Sequence, residues 1–214
     1  MHRINRRSVI LTALSTLVGA AVAQQGGQAV RIVVPFAAGS APDIVARTIA
    51  DPLAGEFGAP VTIENLPGAG GMLGVTHVAN AAPDGRTVVM SGDAALVMPD
   101  PNRVRRYDPQ RDLAPISRLV VTPNVLVVGV DTESRNFSDW LAWLRLQPPG
   151  RISYASAGVG TSSHRAGELL AKMTGVEMTH VPSNQSPLPD VVAGRVDLLF
   201  ANIATAMPLV REGR

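Results

Sequence analysis

Short β-branched runs alternate with helical patterns along nearly the whole chain, and that alternation restricts it to an α/β fold with largely parallel sheets. Residues 31–34, 61–64, 87–90, 119–121, 125–130, 152–155, 176–181 and 196–200 read as strands. Residues 72–80, 137–146, 164–173, 188–193 and 202–211 read as helices, as does a segment opening at Ser40. In that segment Ile44, Val45, Ile49 and Leu53 recur at helical spacing, and Pro52 predicts a kink or an early end. Ser40 and Asp43 have the spacing of a capping box, with Pro42 in the first turn. Asn136 or Ser134 would cap the helix that begins near Phe137, and Gly175 would end the one before it. A polar, Pro-containing stretch at 99–112 interrupts the alternation and suggests two lobes.

Two places repeat one pattern. Residues 31–43 and 152–168 each run strand, small-residue loop, helix. A helix start carries unpaired N–H donors and partial positive charge, so it favours an anion. One such loop in each lobe, facing across a cleft, would clamp a carboxylate without Arg or Lys. In the second loop Ser156, Ala157, Gly158, Gly160 and Thr161 let a ligand approach the backbone, and the hydroxyls add donors.

Composition removes several other chemistries. The 214 residues contain no Cys, which excludes disulfide scaffolds, thiolate zinc sites, iron–sulfur clusters and cysteine nucleophiles. A net charge of +2 hints at nucleic acid, but 4% aromatics leaves no stacking platform. Eighteen Arg accompany a single Lys, Lys172, and they are scattered rather than clustered. The loop Gly68-Ala69-Gly70-Gly71-Met72-Leu73-Gly74 has Leu where a dinucleotide fingerprint needs its last Gly, and no P-loop Lys follows. It reads as a loop built for close packing. Ser162, Ser163 and His164 are adjacent on one helix start and make no triad, and no Gly-x-Ser-x-Gly elbow is present. The four His have no metal-ligand spacing, so neither metal nor cofactor is expected. His77 and His180 read as structural, and Trp140 and Trp143 as core or lobe-interface residues.

The first 23 residues read as an address. Arg3, Arg6 and Arg7 precede an apolar stretch at 9–20, and Ala21-Val22-Ala23 fits a cleavage site, so the mature chain would begin at Gln24. Arg6-Arg7 also fits a twin-arginine signal, so either the Sec or the Tat route serves. Removing residues 1–23 takes three Arg with it and brings the net charge to −1, which weakens the nucleic-acid hint.

The residues also carry a resemblance. Ile32-Val33-Val34-Pro35-Phe36 is followed by Gly39-Ser40 and Asp43-Ile44-Val45-Ala46-Arg47. Val61-Thr62-Ile63-Glu64-Asn65, the Pro67–Gly71 loop, Ala82-Pro83-Asp84-Gly85 and Tyr107-Asp108-Pro109 with Asp112-Leu113-Ala114-Pro115 come next in order. Then follow Pro123-Asn124-Val125-Leu126-Val127-Val128, Tyr154-Ala155-Ser156-Ala157-Gly158 through His164, and Gly194-Arg195-Val196-Asp197. Together they resemble the solute-binding proteins of tripartite tricarboxylate transporters, also called Bug (Bordetella uptake gene) receptors.

The resemblance implies a two-lobe periplasmic-binding-protein-like fold (type II), incomplete at the C-terminus, with a signal peptide at 1–23, lobe 1 at 24–112 and lobe 2 at 113–214. It implies a monomeric periplasmic receptor, not an enzyme. Such a receptor captures a small carboxylate (a di- or tricarboxylate, an acidic amino acid or an aromatic acid) and delivers it to a membrane permease. The ligand-binding set expected is Phe36, Ala37, Ala38, Gly39, Ser40, Asp43, Ser91, Ser156, Ala157, Gly158, Gly160, Thr161, His164 and Asn202. The chain departs from the family pattern at Gly39-Ser40, where many members have Gly-Gly. It also departs at Ser183-Asn184-Gln185, which replaces a Tyr-Lys-Gly-like segment, and at Ala201, where an Asp commonly precedes the Asn. Family members continue well past the helix containing Pro208. A truncated product without a transport role, and an enzyme acting on a carboxylate, are the competing expectations.

Overall fold

The computed structural model describes residues 27–92, 107–130, 132, 134 and 136–214. The expected signal segment and residues 99–106 of the connection lie outside these. The described strands form two separate sheets.

The first sheet contains β1 (Val30–Val34), β2 (Val61–Asn65) and β3 (Thr87–Val89), in the order β2-β1-β3 and all parallel. Helix α1 (Ala41–Phe57) follows β1, and α2 (Met72–Ala79) follows a 3-10 turn at Ala69–Gly71. Parallel strands need crossover helices, and two helices on opposite faces bury both sides of β1. On one face Ala46 and Leu53 of α1 pack on Ile32, Val34, Ile63 and Val88. On the other, Val75 and Met72 of α2 meet Val89, Tyr107 and Leu113.

The second sheet has the order β4-β7-β5-β6, from β4 (Asn124–Val128), β5 (Ile152–Ser156), β6 (Met178–Pro182) and β7 (Leu198–Asn202). β5 is parallel to β6 and β7, whereas β4 is antiparallel to β7. Its helices are α3 (Phe137–Arg145), α4 (Ser162–Thr174), α5 (Leu188–Val192) and α6 (Ile203–Arg211). The period-2 alternation of strands divides the side chains cleanly. Ile152, Tyr154 and Leu198 face Trp140 and Leu144 of α3 and Leu170 of α4. Ala155, Leu199 and Ala201 face Leu188 and Val191 of α5 and Ala206 of α6.

Most expected elements appear, with four differences. Helix α1 continues through Pro52 to Phe57. Pro52 and Thr48, the residue one turn before it, lie on the exposed side, where water can take the carbonyl that Pro52 cannot bond. Residues 119–121 form no strand and are exposed, and they pair with none of the described strands. Trp140 is core, but Trp143 is 40% exposed. The capping box at Ser40 does not form, since the Ser40 side chain makes no cap hydrogen bond. Asn136 does cap α3, accepting from the Asp139 amide at 3.0 Å, and a left-handed Gly175 closes α4. No described helix is long and apolar enough to cross a membrane.

Candidate functional site

In each sheet the order reverses direction beside one strand. From β1 the chain crosses one way to β2 and then back over to β3. From β5 it crosses to β6 and then back to β7. Loops leaving the carboxyl ends of two such strands diverge and open a crevice, the usual ligand position in open α/β sheets. The expected residues sort onto these crevices. Phe36 to Ser40 follow β1 and Ser91 follows β3, whereas Ser156 ends β5, Ala157 to Thr161 follow it and Asn202 ends β7.

In the first loop, the Asp43 carboxylate organises the backbone. It is 2% exposed. One oxygen accepts from the Gly39 amide at 2.8 Å and from Arg47 Nε at 2.9 Å, and the other accepts from Asn65 Nδ2 at 2.9 Å. Asn65 also donates to the Phe36 carbonyl at 3.1 Å. Burial opposes the Asp43 charge, but Arg47, the Gly39 amide and Asn65 outweigh it and hold the carboxyl below the usual Asp range. Asp43 was expected to touch the ligand. Its oxygens are instead spent on holding the loop, and the Gly39 amide is spent on Asp43. The amides of Ala37 and Ala38 have no protein partner among the described residues. The hydroxyls of Ser40 and Ser91 are buried and unpartnered, one on each side of the β1/β3 crevice. A buried hydroxyl without a partner costs free energy, which a polar guest would relieve.

The second loop is more internally bonded than its sequence suggests. The Ala157 amide donates to Ser163 Oγ at 3.2 Å, the Gly158 amide to Ser156 Oγ at 3.0 Å and the Gly160 amide to His164 Nδ1 at 3.3 Å. Thr161 Oγ1 donates to the Gly158 carbonyl at 2.6 Å and lies 3.0 Å from Ser163 Oγ. Three of the expected amide donors therefore already have side-chain acceptors in the same segment, and the Thr161 amide donates to the Gly158 carbonyl at 3.3 Å. Asn202 is likewise engaged. Its Oδ1 caps α6 by accepting from the Ala204 amide at 3.0 Å, and its Nδ2 donates to Thr122 Oγ1.

Beneath this loop lies a cluster that sequence reasoning missed. Ser156 is fully buried, and its Oγ is 2.7 Å from His180 Nε2. The His180 ring stacks on Tyr154 at 4.8 Å and meets His164 at 4.4 Å. Tyr154 donates to Glu168 Oε1. Burial foremost, then the nearby His164 charge, lowers the His180 pKa, with Glu168 acting the other way. Burial, reinforced by Glu168, raises that of the Tyr154 hydroxyl. Among the described residues no third group orients the Ser156–His180 pair as a triad, and the buried Oγ already accepts from the Gly158 amide. The register Tyr154↔His180 in the parallel β5/β6 pair creates the stack, and only the strand pairing reveals it.

The two crevices are linked by glycines. The Phe36 ring lies over Gly71, whose added Cβ would be 3.1 Å from it, and Gly70 lies against the backbone of Gly158 and Val159. The glycine-rich loop thus serves close packing, as its sequence suggests. A separate surface cavity of about 660 Å³ lies at the opposite end of β1 and β3, lined by Arg31, His77, Asp84 and Arg86 among others. None of the expected ligand residues lines it. No group of three or more His, Cys, Asp or Glu among the described residues could hold a metal.

A family model described as the tripartite tricarboxylate transporter family receptor matches residues 45–214. A UPF0065 protein of Pseudomonas sp. is 38% identical over 175 residues, which is 81% of this chain and 52% of that protein. A Rhodopseudomonas palustris protein solved with adipate superposes with a TM-score of 0.81 at 31% identity, covering 89% of this chain and 64% of that one. MatC from the same organism, solved with malate, gives a TM-score of 0.77 at 34% identity, covering 87% and 64%. The chain spans about half the length of the Pseudomonas relative it matches.

Proposed function

Because the chain belongs to the tripartite tricarboxylate transporter receptor family, we propose that it captures a small carboxylate between the loops at its two crevices. Lobe 1 would be residues 24–112 and lobe 2 residues 113–214. The observation that carries this reading is the pair of buried hydroxyls, Ser40 and Ser91, at the β1/β3 crevice beside the amides of Ala37 and Ala38, none of which has a hydrogen-bond partner among the described residues. The Ser40 hydroxyl and the Ala37 and Ala38 amides lie at or just before the start of α1, a position that suits an anion, and the dipole of α1 adds to them. The loop at 156–161 would close from the other side, exchanging its internal acceptors for ligand oxygens. The adipate and malate carried by two structural neighbours are dicarboxylates and support this ligand class.

The role that follows is that of a monomeric periplasmic receptor, exported through its first 23 residues, that hands its ligand to a membrane permease. Binding would favour the closed arrangement only by the difference in its affinity for the closed and open forms. The reading includes no reaction step.

Calorimetric titration of the full chain with malate, adipate and an uncharged diamide of the same length tests the reading. Binding of at least one dicarboxylate, weakened at least tenfold in Ser40→Ala and not shared by the diamide, is expected. Equal binding of the diamide, or no binding of either acid by a folded chain, contradicts it.

A further inference from the structure

His164 occupies the donor that an anion would need. Its Nδ1 accepts from the Gly160 amide at 3.3 Å. A ring nitrogen that accepts carries no proton, so the neutral ring bears its hydrogen on Nε2, which lies 3.9 Å from Glu168 Oε1. The side chain is 19% exposed, so solvent protons reach it. A proton on Nδ1 turns that acceptor into a second donor facing the Gly160 N–H. Two donors cannot bond each other, so the contact breaks and both N–H groups become available to an incoming carboxylate.

From this geometry we infer that His164 is a proton-linked gate on the second loop, standing in for the ligand's carboxylate when neutral and yielding the Gly160 amide when protonated. The inference rests on the carboxylate reading of that loop. The proton passes from solvent to Nδ1, and no other bond is made or broken.

Several charged and titratable groups surround the ring. Glu168, one turn along α4, places Oε1 3.9 Å from Nε2, and the same oxygen accepts from Tyr154 of β5. Arg165 sits on the same helix and donates to the Gly160 carbonyl at 2.7 Å, so it opposes the added charge but anchors the loop while the amide is released. His180 of β6, 4.4 Å away between ring centres, is held towards its neutral form by burial. A bound carboxylate supplies the negative charge that favours the proton on His164. By linkage, uptake of a proton on binding means affinity that rises as pH falls, by at most tenfold per pH unit for one proton.

The test is calorimetric titration of the full chain with adipate and with malate near pH 7, where both acids are ionised, in buffers of different ionisation enthalpy. Wild-type protein should take up a fraction of a proton per ligand and bind more tightly as pH falls from about 8 to about 6.5. His164→Phe keeps a ring without the acceptor, and His164→Gln covers the case in which Phe disturbs folding. Both should bind without proton uptake and with a flat pH profile. In ¹⁵N-histidine NMR spectra, the ring absent from the variants should become doubly protonated when adipate is added. Binding without proton uptake, or uptake that moves to His180, overturns the gate and leaves the carboxylate reading intact. No binding at any pH by folded protein overturns both.

Discussion

Gly158 stands so close to Gly70 that a Cβ built on it would lie 2.8 Å from both the Cα and the amide nitrogen of Gly70. One residue follows β5 and the other precedes α2, so this backbone contact joins the loops of the two sheets. Gly158 also has φ of 118°, a region that L side chains avoid. Gly158→Ala should therefore both strain its own backbone and push the loops apart. A loss of about 1–3 kcal/mol of unfolding free energy in urea is expected, together with weaker dicarboxylate binding. Unchanged stability and unchanged binding would mean that the contact is incidental.

Asp43→Asn removes the charge that Arg47 and the Gly39 amide are bonded to. A loss of about 1–3 kcal/mol is expected, because one partner of a buried, charge-assisted network disappears. The pH dependence has a definite sign. The folded-state pKa lies below the unfolded value, so the stabilisation is present above the unfolded pKa and is lost as pH falls through the folded one. Denaturation curves below about pH 4 should show this loss in the wild type and a smaller one in the variant.

His180 acts in the neighbouring pH range with its own sign. Burial lowers the pKa of this base in the folded state, so the unfolded chain takes up a proton first as pH falls. Stability should be full above about pH 6.5 and decline below it. His180→Gln should remove that part of the slope in urea titrations. A slope identical in both proteins would assign it to other groups.

Gly167 of α4 lies against the Tyr154 ring, where an added Cβ would be 2.3 Å from two ring carbons. Gly167→Ala gains helix propensity, worth about 1 kcal/mol, yet forces the ring out of a packed core. The clash should win, and thermal unfolding should occur at a lower temperature. The lost Tyr154–His180 stack would be visible as altered near-ultraviolet circular dichroism.

The fold was legible because its signals are local. Most of the β-branched runs, the Asn136 cap and the closing Gly175 depend on a few adjacent residues and are found in place. Residues 119–121 are as apolar as a strand, but a strand needs a ladder partner, and none of the described strands pairs with them. The positions of the expected site residues followed from the loop pattern. Their bonding did not, because it depends on competition. Asp43 has the spacing of a capping partner for Ser40 but bonds Gly39, Arg47 and Asn65, and Asn65 is 22 residues away. The Ser156–His180 contact spans 24 residues and needs the register of β5 on β6.

A crystal structure of the full chain grown with adipate tests the central claim most directly. The account predicts one carboxylate within hydrogen-bond distance of the Ala37 and Ala38 amides and the Ser40 hydroxyl, with the 156–161 loop facing it. Adipate held instead in the cavity beside Arg31, His77 and Arg86, with the Ser40 and Ser91 hydroxyls still unpartnered, would contradict it.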